Sequence, residues 1–524
     1  MSREGDIALN FQNPVISGFH PDPSICRVGS DYYVVTSSFE YFPGVPIFHS
    51  KDLVHWRLIG HCLDRASQLP LHQAGSSTGI FAPTLRHHEG RFYMITTNVS
   101  AKGNFFVTSE KPEGPWSEPI WLDWEGIDPS LLFDEDGKVY ITGTAGFRNN
   151  EQPGIYQAEI DPCTGKLLSP RRFIWSGTGG AFPEGPHLYR IFGKYYLMIS
   201  EGGTEYGHMV TIARSDTPYG PFESNSANPI LSHRSRKSSI QATGHADLVQ
   251  LEDGSWWAVC LGIRPIGYPY HHHIGRETFL APVHWSDDHW PVIGESGIIE
   301  ETMEAGKLSV GQGEPWSGIE EFNEHHLAPY WSFLRNPSDD CWSLNDRPGW
   351  LTLRGSGISL NEADSPAFVG RRQQHFTCSV STLLDFDPHE EGEEAGLTVY
   401  MNERFHYEIA LSCLAGKRGV LLRRRIGTLW KTELVYEYSG SRIVLGIEAD
   451  KHNYRFTFEA DGEAKQVAGE AECGLLATEV AGGFTGVFFG MYATGNGKPC
   501  KAAAYFDRFD YIPADEMEGK RGMP

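Results

Sequence analysis

One pattern recurs five times between Gly29 and Trp257: a turn, two mostly aromatic positions, then a short strand of apolar and small residues. The copies are Gly29-Ser30-Asp31-Tyr32-Tyr33, Gly90-Arg91-Phe92-Tyr93, Gly137-Lys138-Val139-Tyr140, Gly193-Lys194-Tyr195-Tyr196 and Gly254-Ser255-Trp256-Trp257, their final aromatics 60, 47, 56 and 61 residues apart. A second signal runs in phase with the first, Ser and a turn leading to an aromatic, in Ser50 to Trp56, Ser109 to Trp116, Ser215 to Phe222 and Ser286 to Trp290. A unit of this size cannot bury its own faces and must stack on copies of itself. The stretch from about 10 to 305 therefore reads as five four-stranded blades of a β-propeller.

The 58 Gly and 32 Pro, with 14 Trp, 22 Tyr and 29 Phe, favour short strands and tight turns over long helices. At 524 residues the chain exceeds one hydrophobic core, and past Gly306 the repeat stops. Gly311-Gln312-Gly313-Glu314-Pro315 reads as a linker. Trp316 to Pro513 returns to strands with period-two alternation, as in Gly396 to Tyr400, Tyr407 to Leu411 and Tyr454 to Phe458. Such strands form a sandwich of jelly-roll or concanavalin type with one face of each sheet in the core. The expected organisation is all-β: a propeller over 1–310, a sandwich over 316–513 and a charged tail over 514–524.

With 44 basic against 67 acidic residues the formal charge is -23, which opposes nucleic acid or an anionic membrane as partner. Met1 to Asp6 carries no basic segment followed by an apolar one, and no apolar run approaches the ~20 residues of a membrane span, so the chain reads as cytoplasmic. Nine cysteines without a CxxC pair fit buried free thiols in a reducing compartment. Asn98-Val99-Ser100 is a formal glycosylation sequon, discounted for want of a secretory signal.

Counting back twelve positions from the last aromatic of repeats two to five gives Phe81, Asp128, Glu184 and His245, and eleven in the first gives Asp22. Equivalent positions of successive blades point at one axis, so these side chains should converge. Each acid taken alone, beside Pro or Gly, reads as a turn cap. Three in one phase of a repeat read as function, because crowded carboxylates are costly unless used. Two carboxyl groups across a cleft can split an acetal, one protonating the leaving oxygen and one activating water, while a third raises the proton affinity of the acid. Glu184, with the longest reach, suits the acid, Asp22 the base and Asp128 the modulator, although the sequence does not order the roles. Phe39, Tyr41, Phe42 and Phe81 could stack on sugar rings. Tyr268-Pro269-Tyr270-His271-His272-His273 reads as a loop over the mouth, since adjacent histidines seldom share a metal. Asp134-Glu135-Asp136-Gly137 reads as a hairpin turn, lacking the further ligands of a calcium loop.

The stretches Asn13-Pro14-Val15, Gly18 to Ile25, Phe42 to Pro46, Gly126 to Ser130, Glu184-Gly185-Pro186 and Gly275 to Phe279 resemble glycoside hydrolase family 43, in the β-xylosidase and α-L-arabinofuranosidase branch with a C-terminal sandwich. The resemblance covers nearly the whole chain. It implies a five-bladed propeller and hydrolysis with inversion, with Asp22 as base, Glu184 as acid and Asp128 as modulator, which needs ~6.5–9.5 Å between acid and base. It places His245 in a central channel where some relatives hold calcium, usually through water, and Arg276 near the sugar hydroxyls and Asp128. No cofactor is otherwise called for. Phe81 stands where the family often has Trp, which leaves xylose against arabinose open. A sandwich loop that enters the pocket maps to Phe484 through Phe489, with Phe488 taken as the substrate-contacting ring. The expected activity is an exo-acting β-1,4-xylosidase on xylooligosaccharides. An α-L-arabinofuranosidase acting on arabinose-substituted oligosaccharides is the second reading and a non-catalytic carbohydrate-binding propeller the third. A homo-oligomer is compatible with the sequence.

Overall fold

The computed structural model describes residues 9–146, 151–311, 313 and 318–514. The first residues, most of the linker and the tail after 514 lie outside this range. Five antiparallel sheets follow one another along the chain, each a meander whose first strand is innermost. The innermost strands are Ser24–Val28, Thr84–His88, Ile127–Phe133, Glu184–Ile191 and Gln241–Gln250. Each lies beside the next, and the fifth lies beside the first, so they close a ring. Four sheets have four strands, and the fourth adds a short fifth, Leu231–Ser232. This ring is a propeller, sealed by Asn10–Gln12 pairing with Thr302–Glu304 and by Asn13 bonding both ways to Leu280.

The repeated aromatics are what join one sheet to the next. Tyr33 packs on Phe92, Tyr93 on Phe133, Tyr140 on Tyr219 and Tyr196 on Trp285, at centroid distances of 5.3, 4.8, 5.8 and 5.5 Å. Trp257 meets Phe11 of the sealing strand at 6.0 Å. Such pairs contribute roughly 0.5–1.5 kcal/mol each beyond the area they bury, enough to make the pattern recur. At the floor of the channel Asp247, fully buried, accepts from Ser24 Oγ, Ile25 N–H, Arg86 and Tyr189 Oη, pinning four inner strands together.

The second unit packs an eight-stranded sheet on a six-stranded one around a common apolar core. Cys378–Asp385 shows the expected alternation of buried and half-buried positions. The six-stranded sheet does not, for Glu394–Asn402 is buried at nearly every position. Its second face is covered by the propeller: Phe368, Tyr400, Leu421, Phe488 and Tyr492 form one cluster with Phe19, Phe39 and Tyr41. Phe333–Leu334 also pairs with Tyr41–Phe42 across the two units.

The Asp134 to Gly137 stretch is a hairpin turn, Asp134 and Lys138 closing it. Asn98 is buried with its amide on the Pro70 carbonyl, so the sequon's side chain is already engaged. All nine cysteines are free and most are buried; Cys163 is exposed, a departure from the expectation. Among the described residues no helix is long and apolar enough to cross a membrane.

Candidate active site

The inner strands break register where the acids stand. Pairing skips from Ile127 to Ser130, from Glu184 to His187 and from Gly244 to Asp247. Within these bulges Asp128 and His245 take φ of 54° and 46° and Gly185 takes 56°, and Asp22, just before the first inner strand, takes 55°. A bulge turns a side chain out of the ladder, here toward the axis, and the left-handed backbone costs on the order of 1–3 kcal/mol per non-glycine residue. Gly185 is required twice, for its φ and because a Cβ would sit 3.0 Å from the His245 ring.

Asp22 is buried. Its Oδ2 accepts from Ser37 Oγ at 2.6 Å and its Oδ1 from Arg276 Nη1 at 2.7 Å, with His245 Nδ1 3.8 Å from the same oxygen. Burial works against its charge, but Arg276, His245 and the Ser37 hydroxyl together hold its carboxyl below the usual range. Asp128 is buried too and has no arginine; its Oδ2 accepts the Gly185 N–H at 3.0 Å. Burial, with the Glu184 and Asp22 charges, pushes its carboxyl up to about 7 against the pull of His245. Glu184 keeps a side-chain exposure of 17%, and its Oε1 lies 3.3 Å from Nε2 of the fully buried His208. His208 Nδ1 faces the Ala242 carbonyl, which can only accept, so in a neutral ring the bare Nε2 faces Glu184.

Around these acids stands an aromatic corner. Phe39 lies 5.4 Å from Phe81 and 6.0 Å from Phe484, and Phe81 6.2 Å from Phe484. The Arg276 guanidinium is 5.8 Å from both Phe39 and Phe484, within cation–π range.

Two expectations are corrected. Phe488 is not in the corner: it is fully buried, stacked 3.9 Å from Tyr41 in the layer between the units. It opens the strand Phe488–Thr494, whereas Phe484 lies in the glycine-flanked segment before that strand. Arg276 reaches Asp22 rather than Asp128, because its carbonyl accepts the His20 N–H and fixes it beside the first sheet. The Tyr268 to His273 stretch lies against the sandwich, His272 bonding Glu479 at 2.8 Å. His208 and Ser37 lie outside the inner strands, where the repeat phase carries no information.

A calcium ion takes six to eight oxygens. His245 offers one imidazole. The nearby Asp247 is fully committed to donors and Asp22 to Arg276 and Ser37, and no cluster of three metal-binding side chains occurs among the described residues. Among the described residues no set of side chains offers direct coordination of calcium.

Residues 11–291 match the model of glycosyl hydrolases family 43, and 319–512 that of the beta xylosidase C-terminal concanavalin A-like domain. The chain belongs to glycosyl hydrolase family 43. Within the family it is 45% identical over 507 residues to a non-reducing end α-L-arabinofuranosidase of Bacteroides ovatus, covering 96% of this chain and 94% of that one. It is 40% identical over 523 residues to a xylosidase/arabinosidase of Butyrivibrio fibrisolvens, covering 96% and 99%. Among solved structures, a family 43 protein of the Bacteroides ovatus xyloglucan locus superposes with TM-score 0.91 at 43% identity, over 96% of this chain and all of the other. A xylan β-1,4-xylosidase of Bacillus halodurans gives 0.90 at 36%, with the same coverage. The chain is thus a glycoside hydrolase, which sets aside a purely carbohydrate-binding propeller.

Proposed function

We propose that this family 43 hydrolase is an exo-acting, inverting enzyme that releases single α-L-arabinofuranosyl units from non-reducing ends, with β-D-xylosyl release as a second activity. The observation that carries the reading is the aromatic corner shared by both units: Phe484, from the sandwich, stands with Phe39 and Phe81 of the propeller beside Arg276 and Asp22. A ring contributed by the second unit at this corner favours the end of a chain over its middle as the bound sugar. Arabinofuranose stands first because of the 45%-identical relative, and the xylosidase names of the others favour the second activity.

Asp22, held ionised, takes a proton from the water whose oxygen bonds to the anomeric carbon. As the carbon–oxygen bond to the leaving group breaks, Glu184 delivers a proton to the departing oxygen. Asp128 keeps a proton within the carboxyl pair near neutral pH, where the leaving oxygen needs one. Asp22 and Glu184 share no hydrogen bond, and the His245 ring neighbours both Asp22 and the Gly185 backbone. Inversion requires room for a water between the two carboxyl groups, about 6.5–9.5 Å.

Initial rates on 4-nitrophenyl α-L-arabinofuranoside, 4-nitrophenyl β-D-xyloside and xylobiose test the reading. The arabinoside should turn over fastest. Folded protein inactive on all three would overturn it, and a dominant xylosidase rate would reverse the order of the two activities.

A further inference from the structure

Between the two units lies a carboxylate that this chemistry does not use. Glu40 is fully buried, its carbonyl accepting the Arg335 N–H of the sandwich at 2.8 Å. Its Oε2 accepts the backbone N–H of Ser77 at 3.0 Å, and its Oε1 has no hydrogen-bond partner. A buried carboxylate only partly satisfied is costly, so packing alone does not account for it. Ser77, at φ 59°, turns its hydroxyl to the sandwich, where Oγ accepts the Phe484 N–H at 2.8 Å. The Phe484 carbonyl faces Arg276 Nη2 at 3.4 Å, and Arg276 Nη1 donates to Asp22 at 2.7 Å. Five residues thus form one line from the domain interface to the carboxylate read as the base.

The line has little slack. A Cβ on Gly483 would fall 2.4 Å from Ser77 Oγ, and one on Gly486 2.1 Å from the Ile274 carbonyl. The strap from Gly482 to Gly486 is pressed between the loop of Ser77 and the chain leading to Arg276, and Val487 N–H bonds the His273 carbonyl at its end.

We infer that Glu40 and Ser77 are positioning residues: they anchor the Phe484 strap, whose carbonyl helps hold the Arg276 guanidinium on Asp22. By this route the sandwich tunes the water-activating carboxylate as well as covering the pocket. The inference rests on the proposed role of Asp22. Asp22 also faces His245, His208 and Asp128, none of which the strap holds, so a shift caused through Arg276 is separable from theirs.

The test is Ser77→Ala in the full chain, assayed on whichever nitrophenyl glycoside the wild type hydrolyses faster. With Arg276 loosened, Asp22 should bind its proton more tightly. The acidic limb of kcat/KM against pH should then rise by about one unit, with kcat reduced as well as KM raised. Glu40→Gln, which keeps an acceptor for the Ser77 N–H, should retain the wild-type limb, and Glu40→Leu should shift it as Ser77→Ala does. An unmoved limb in Ser77→Ala, or a change confined to KM, would overturn the inference even if Glu40→Leu does not fold. An inactive wild type would strike instead at the proposed function.

Discussion

Asp22 and Asp128 share a left-handed backbone and are about equally buried, yet their surroundings drive them apart. Arg276 and Ser37 favour the charged form of Asp22, whereas Asp128 has a single backbone donor and a carboxylate neighbour. Removing the Asp128 charge should weaken the hold of the carboxyl cluster on its proton. In Asp128→Asn the alkaline limb of the kcat profile should therefore move to lower pH while kcat falls by about 10²-fold or more; a limb that stays in place would detach Asp128 from the proton donor. The two phenylalanines of the strap region separate in the same way. Phe488→Ala empties a buried stacking position and should cost about 3–5 kcal/mol in denaturant melts. Phe484→Ala, at a half-open position, should leave the melt nearly unchanged and raise KM. Equal effects on stability would contradict the placement.

The inner strand is the element that made the site legible. A position recurring in one phase of a repeat leaves its mark as a set distance from the second strand's aromatics, twelve residues for Asp128, Glu184 and His245 and eleven for Asp22. His208 lies just before the third strand of its sheet, and nothing in the sequence around it marks proximity to Glu184. For Phe484 the signal existed: Gly482, Gly483 and Gly486 mark a loop, while the apolar run from Val487 marks a strand. The same inner strands carry the Asp247 pin, and Arg86 holds the Asp247 carboxyl far below its usual range despite burial. Because that value is depressed, its stabilisation is complete above the unfolded value of about 4 and fades as pH falls. Asp247→Asn should lower stability by about 3–5 kcal/mol at neutral pH by leaving Arg86 unpaired, and the deficit should shrink in acid. A pH-independent deficit would contradict the pin.

At the scale of the molecule, the end of the aromatic repeat announces a second unit, but alternation alone could not show that one sandwich sheet is buried on both faces. That depends on the propeller, which covers Tyr400, Phe488 and Tyr492 with Phe19, Phe39 and Tyr41. Strands Tyr41–Phe42 and Phe333–Leu334 hydrogen-bond across the same boundary. With a shared apolar layer, the two units should unfold in one calorimetric transition, and two well-separated peaks would contradict the shared layer. The proposed roles of Asp22 as base and Glu184 as acid have a stereochemical consequence. Proton NMR of the first sugar released from 4-nitrophenyl α-L-arabinofuranoside, or from the β-xyloside should that be the faster substrate, reads it directly. The account predicts that the inverted anomer appears first and then mutarotates; first appearance of the retained anomer would contradict it.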